Sequence, residues 1–291
     1  MDGRRGGRTG ASLSTDRRAV REAARRRRAQ RGAAVSTVST VLVLGLLAAL
    51  ILTSKGWPTV RDTFFSWSAF ESSFPDVLDG FWLDIKIFFA VEVAVLVLGL
   101  VVAVIRSTGA PALFPLRMLA VAYTDLFRGV PTILVVYLIG FGLPALALGG
   151  LPTDPIVLGG IALALSYTAF VAEVYRAGIE SIHPGQRSAA LALGLTPAQS
   201  TRFVVLPQAV RRVVPPLLND LIALLKDVAL VSILGPLEAF RVAQIEASSN
   251  FNYTPLVAAA CLYLLVTVPL ARIVDRMQAR AIMRRGGGAP A

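Results

Sequence analysis

Titratable side chains are scarce in this chain. It has 291 residues, of which 16% are Asp, Glu, Lys or Arg, with one histidine (His183) and one cysteine (Cys261). A single cysteine in an apolar run makes no disulfide or thiolate metal site within one chain. A single histidine excludes a histidine-rich metal site, and His183 reads as a solvated loop residue rather than part of a Ser-His-Asp set. No GxxxxGK[ST] phosphate loop occurs anywhere, so the chain does not drive a process by hydrolysing ATP itself. No internal repeat of the kind many secondary transporters carry is present either. The expectation is a chain that is not an enzyme and binds neither metal nor cofactor.

Apolar residues are what the sequence has in plenty. They make up 55% of the chain, and the mean hydropathy is +0.66. That is an integral membrane composition. Six apolar runs are each near the roughly 20 residues a bilayer requires: Val35–Thr53, Phe81–Ile105, Met118–Leu143, Ile156–Tyr175, Val214–Gly235 and Thr254–Val274. The fold class expected is therefore an all-α integral membrane protein with about six transmembrane helices.

Arginine orients it. Residues 1–34 form a basic tail with eleven Arg against three acids, +8 of the total net charge of +11. Such a run lacks aromatics and reads as disordered. It fixes a cytoplasmic N-terminus near anionic lipid more readily than it binds nucleic acid. Segments that then fall inside carry Arg106 and Arg117, then Arg176, Arg187, Arg202, Arg211 and Arg212, then Arg276, Arg280, Arg284 and Arg285. Outer segments are acidic or nearly bare. Both termini are thus expected in the cytoplasm of a multi-pass cell-membrane protein.

One polar, arginine-bearing stretch interrupts the apolar pattern between the fourth and fifth spans. Pro184 and Gly185 are turn residues ahead of a helix-compatible run, Gln186 to Leu193. Gly194 is placed to stop it in a left-handed conformation. Thr196, Pro197 and Gln199 then make a capping-box start for a second helix, which Pro207 is expected to limit. The slim surface of Ala189, Ala190 and Ala192 suits close approach by another protein.

Ser188-Ala189-Ala190, then Gly194, then Val204-Val205-Leu206-Pro207 resembles the EAA loop of ABC importer permeases. Ala172-Glu173, Arg176 to Ile179, Gly185-Gln186, Leu206 to Ala209, Leu225-Lys226-Asp227 and Arg128-Gly129-Val130-Pro131 are similar to its polar-amino-acid branch. Two departures stand out: Ser188 where the family usually has Glu, and Val228-Ala229 where two hydroxyl residues are common. The resemblance implies a permease domain over 81–276, with its loop at 176–213. It also implies an additional N-terminal helix at 35–53, while the charge pattern makes 54–80 an extracytoplasmic segment and 277–291 a basic cytoplasmic tail.

The expected assembly has a second permease subunit, a cytoplasmic ABC ATPase dimer that uses ATP and magnesium, and an extracytoplasmic solute-binding protein. Its substrate would be a polar amino acid. ATPase coupling would fall to Gly185, Gln186, Ser188, Ala189, Ala190, Gly194, Leu206 and Pro207.

Ionisable groups inside spans are costly and mark pathways or partners. Counted along straight helices, Glu92, Asp125, Arg128, Lys226 and Asp227 fall near mid-depth. Arg128 can clamp a substrate carboxylate, and Asp227, Asp125 or Glu92 can receive an ammonium. Alternatively these groups neutralise one another, Arg128 with Glu92 for instance. The rival reading they support is an ion-coupled secondary transporter, which leaves the loop without a purpose.

Overall fold

The computed structural model describes residues 32, 35–108 and 110–286. The expectation for the N-terminal tail therefore lies outside the described residues, apart from Gly32, as does residue 287 onward. Every regular element among the described residues is helical. The chain divides into a unit ending at Arg61 and a unit beginning at Asp62.

The first unit contains α1, Val35–Leu52, which coincides with the first expected span. Its side chains are exposed all round. A short α2, Trp57–Phe64, follows. The second unit opens with α3, Trp67–Ser107. Ser66 caps it, its side chain accepting from the Ala69 N–H at 3.4 Å. At 41 residues α3 is about 60 Å long, far beyond the expected span. It packs most extensively on α7, Pro155–Glu180, whose N-cap is Asp154. The core between them joins Ile87, Phe88, Val91 and Val95 to Leu163, Tyr167 and Val171. Between membrane helices close packing replaces the hydrophobic drive. A Cβ on Gly99 would sit 2.7 Å from Val171 Cγ1, so the two helices touch there.

The third expected span is not a straight helix. α4, Phe114–Gly129, stops before α5, Thr132–Tyr137, and a π turn, Leu138–Gly142, leads on to α6, Leu143–Ala145. The two halves meet at 106°. Pro131 is the cause. It has no N–H to donate and forces the preceding residue out of the helical region; Val130 is extended, with φ −97 and ψ 131.

The fifth span also differs from expectation. α10, Leu206–Asp227, passes at its end into a 3-10 segment, Val228–Leu234. Arg211, Arg212 and Asp220, with Lys226 and Asp227 at its end, make it too polar to qualify alone as a span. Among the described residues, four helices are long and apolar enough to cross a membrane, five if the bent pair is one span. Beyond α10 come α11, Ala239–Asn250, and α12, Thr254–Gly286. α12 carries helix well into the expected 277–291 tail.

Candidate functional site

The loop between α7 and α10 folds from local rules. α8, Pro184–Ala192, begins at His183, whose Nδ1 accepts from the Gly185 N–H at 3.0 Å. It ends in a Schellman arrangement: the Gly194 N–H donates to the Leu191 carbonyl and the Leu195 N–H to the Ala190 carbonyl, with Gly194 at φ +85. The capping box is present in full: Thr196 N–H donates to Gln199 Oε1 at 2.9 Å, and Gln199 N–H to Thr196 Oγ1 at 3.3 Å. It opens α9, Pro197–Ser200.

Pro207 does not limit that helix. A π turn, Thr201–Val205, runs straight on into α10, with Pro207 in its first turn. The wider turn absorbs the proline's missing N–H, so Leu206 and Pro207 start a long helix instead of closing a short one.

Ala190 is the second correction. It is 3% exposed and lies beneath the loop rather than on the slim outer face. Gly185, Gln186, Ser188 and Ala189 are exposed, as is Gly194. Gln208 of α10 donates to Gln186 Oε1 at 3.3 Å, tying the two arms of the loop together. At the loop's base, α7 and α10 meet where a Cβ on Gly178 would come within 2.4 Å of Val213.

The intramembrane charges separate into two groups. Arg128 does not meet Glu92. The bend after α4 carries it to Glu173 of α7, 3.8 Å away, where Arg106 of α3 also binds at 2.7 Å. Arg176 pairs with the same carboxylate and reaches Glu180 at 2.5 Å. Counting along a straight span put Arg128 at mid-depth; the corner puts it beside the end of α3 instead.

The second group is acidic. Glu92 on α3 is 8% exposed and faces Asp220 of α10. The Tyr167 hydroxyl of α7 donates to Asp227 Oδ2 at 2.9 Å and lies within the fields of Asp227, Asp220 and Glu92 together. Asp220 has one buried carboxyl oxygen without a donor. Asp125 and Lys226 are exposed, away from this group, and neither has an ion-pair partner among the described residues. Lys226 and Asp227 do not pair.

Sequence reasoning missed Asp220. Its signal was available, since it lies seven residues before Asp227 and so on the same face of one helix.

The family described as binding-protein-dependent transport system inner membrane component matches residues 95–283, which takes in the loop, its two flanking helices and the bend at Pro131. The chain belongs to this family. Among curated relatives of this permease family, a putative glutamine transport system permease of Rickettsia conorii is 36% identical over 66% of this chain and 93% of its own length. An arginine transport system permease of Bacillus subtilis is 34% identical over 70% and 91%. The solved amino acid ABC transporter with histidines superimposes at a TM-score of 0.64 with 31% identity, covering 71% of this chain and 94% of that one. The inward-facing methionine ABC transporter MetNI shares the fold at a TM-score of 0.55 with 23% identity. α1 precedes the matched region, and the chain is a multi-pass membrane protein with an all-α permease fold.

Proposed function

We propose that this chain is a permease subunit of an ATP-driven ABC importer, forms part of the translocation pathway for polar amino acids, and is worked by a separate ATPase docked on the 185–207 loop. The observation that carries the reading is the loop itself. It is an exposed helix–bend–helix, rigidly stopped at Gly194 and joined through π-turned helix to the α10 carboxylates. Similarity to glutamine and arginine permeases supports the substrate class.

The partners are a cytoplasmic ABC ATPase dimer, a second permease subunit and an extracytoplasmic solute-binding protein. The ATP and magnesium belong to the ATPase. Both termini face the cytoplasm, which puts the loop on the ATPase side. The permease domain is 81–276, with 35–53 as an added helix.

Within the pathway, Glu92, Asp220 and Asp227 supply acceptors for a substrate ammonium, and Tyr167 positions Asp227. Exposed Asp125 and Lys226 lie where a second subunit would cover them. Binding and release follow a shift between two states driven by the ATPase, rather than chemistry on this chain.

The deciding experiment is purification in mild detergent followed by uptake in reconstituted vesicles. An ATPase should co-purify, and uptake should require ATP. Gly194→Val leaves the space around it open but forces a β-branched residue into a left-handed backbone. It should insert normally and lose most substrate-stimulated ATP hydrolysis. Uptake driven by a proton or sodium gradient without any ATPase would overturn the proposal in favour of an ion-coupled transporter.

A further inference from the structure

At the far end of the fold from the docking loop, Asp84 of α3 and Glu238, the N-cap of α11, are both fully buried. The two carboxyls lie side by side: Ala239, the residue after Glu238, reaches Asp84 with its N–H, and each carboxyl lies in the other's field. Three elements enclose them. From α12, the Tyr263 hydroxyl donates to Asp84 Oδ2 at 2.7 Å. From α11, the Ala239 N–H donates to the same oxygen at 3.4 Å. The Phe240 and Arg241 N–H groups donate to Glu238 Oε2 and Oε1 at 2.8 and 2.7 Å. Asp84 Oδ1 alone has no donor.

No cation reaches either carboxyl among the described residues. On α11, Arg241 is turned to Gln244 Oε1. On α3, Lys86 lies over the Trp82 ring. Asp76 and Asp79 of α3 and Glu246 of α11 line an adjoining cleft of about 420 Å³ with Gly80, Leu83 and Leu237, so the charges lining that cleft are all negative. Two carboxylates in contact without a cation cannot both be ionised.

We propose that Asp84 and Glu238 form a binding site for one proton, and that this shared proton latches the start of α11 onto α3 and α12. It supplies the donor that Asp84 Oδ1 lacks. The latch closes where the backbones already touch: a Cβ on Gly80 would sit 2.7 Å from the Ala239 nitrogen. Loss of the proton puts two negative charges face to face at that contact. The pair has no room to separate unless the start of α11 lifts from α3, which widens the adjoining cleft.

The sign of the pH dependence follows from where the proton is held. Burial, then the neighbouring Asp84 carboxyl, pushes Glu238 above the ordinary carboxylate range. The folded protein therefore keeps a proton that the unfolded chain gives up. Its stabilising effect is complete at acid pH, is lost as pH rises from the ordinary carboxylate value to the raised folded value, and changes no further beyond it.

The test uses the full chain in lipid nanodiscs. Thermal melting is followed from about pH 5 to about pH 10, alongside the infrared C=O stretch of protonated carboxyl groups. Wild type should melt progressively lower as pH rises and lose a protonated-carboxyl band over the same range. Asp84→Asn should flatten that part of the melting profile and remove the band. Tyr263→Phe keeps both carboxyls but takes a donor from the ionised form, so the midpoint should move up by about one pH unit, a tenfold change in proton affinity. A melting profile as steep in Asp84→Asn as in wild type would overturn the proposal. Should Asp84→Asn fail to fold, the Tyr263→Phe midpoint decides: an upward shift supports the shared proton, and an unmoved midpoint sinks it.

Discussion

At the end of the fold that carries the loop between α7 and α10, one carboxylate, Glu173, meets Arg106, Arg128 and Arg176. At the far end, two carboxyls, Asp84 and Glu238, lie side by side at the start of α11, with no guanidinium on either among the described residues. Both sites join three elements through acid, half-buried in the first and fully buried in the second, and the charge balance is opposite. The first has positive charge to spare and draws α3, α4 and α7 together at any pH where the Glu173 carboxylate is ionised. The second is short of positive charge and depends on a proton. A static clamp beside the loop and a condition-dependent one opposite suit a fold whose two ends must behave differently.

Removing the acid from the first site should have the largest effect. Glu173→Gln leaves three guanidinium groups facing one neutral amide, and Arg106 already has a buried Nε without a partner. Taking one partner from a largely buried pair costs about 3 kcal/mol. We expect a large fall in melting temperature, equal at about pH 6 and about pH 9. A pH-dependent loss would erase the distinction between the two ends.

A smaller effect is expected from Glu238→Gln. The amide still caps the α11 backbone on one oxygen and brings its own donors to Asp84, so stability near neutral pH should change by about 1 kcal/mol or less. Its melting temperature should exceed that of wild type at alkaline pH, where the native pair has lost its proton. Scanning calorimetry across pH would show the two curves crossing; parallel curves would mean that Glu238 acts only as a helix cap.

Arg128→Ala should matter least for stability. Its side chain is 42% exposed and 3.8 Å from a carboxylate that Arg106 and Arg176 also hold. Exposed pairs of this kind contribute about 0.2–1 kcal/mol. The variant should melt within a few degrees of wild type, and a collapse of the fold would place Arg128 on a par with Arg106.

The loop between α7 and α10 was legible in the sequence because its structure is made by neighbours. Gly194, Thr196 and Gln199 act on backbone groups within a few residues, so spacing alone locates that bend and cap; His183, read as a solvated loop residue, caps α8 as well. The charge sites were not legible in the same way. Glu173 gathers arginines from three helices, and Asp84 finds Glu238 more than a hundred residues away; no local pattern announces such pairs. Arg128 was misplaced for a related reason. Depth was counted along a straight helix, although the Val130-Pro131 dipeptide that ends it was in plain view. Ala190 and Pro207 show the limit from the other side. Their residue types suggested an outward surface and a stop, and packing beneath the loop and a π turn overrode both.

The 106° corner at Pro131 also bears on how the protein is made. Pro111–Gly129 and Thr132–Ala145 qualify as a membrane crossing only when taken together. The second half, at 14 residues, is well short of the roughly 20 a bilayer requires. During synthesis it has little tendency to partition into lipid by itself, and α5 gains its footing by packing on α7, which emerges from the ribosome later. Insertion of this stretch is therefore a cooperative event that waits for downstream chain. A ribosome stalled before α7 should leave the second half still reachable by a water-soluble reagent.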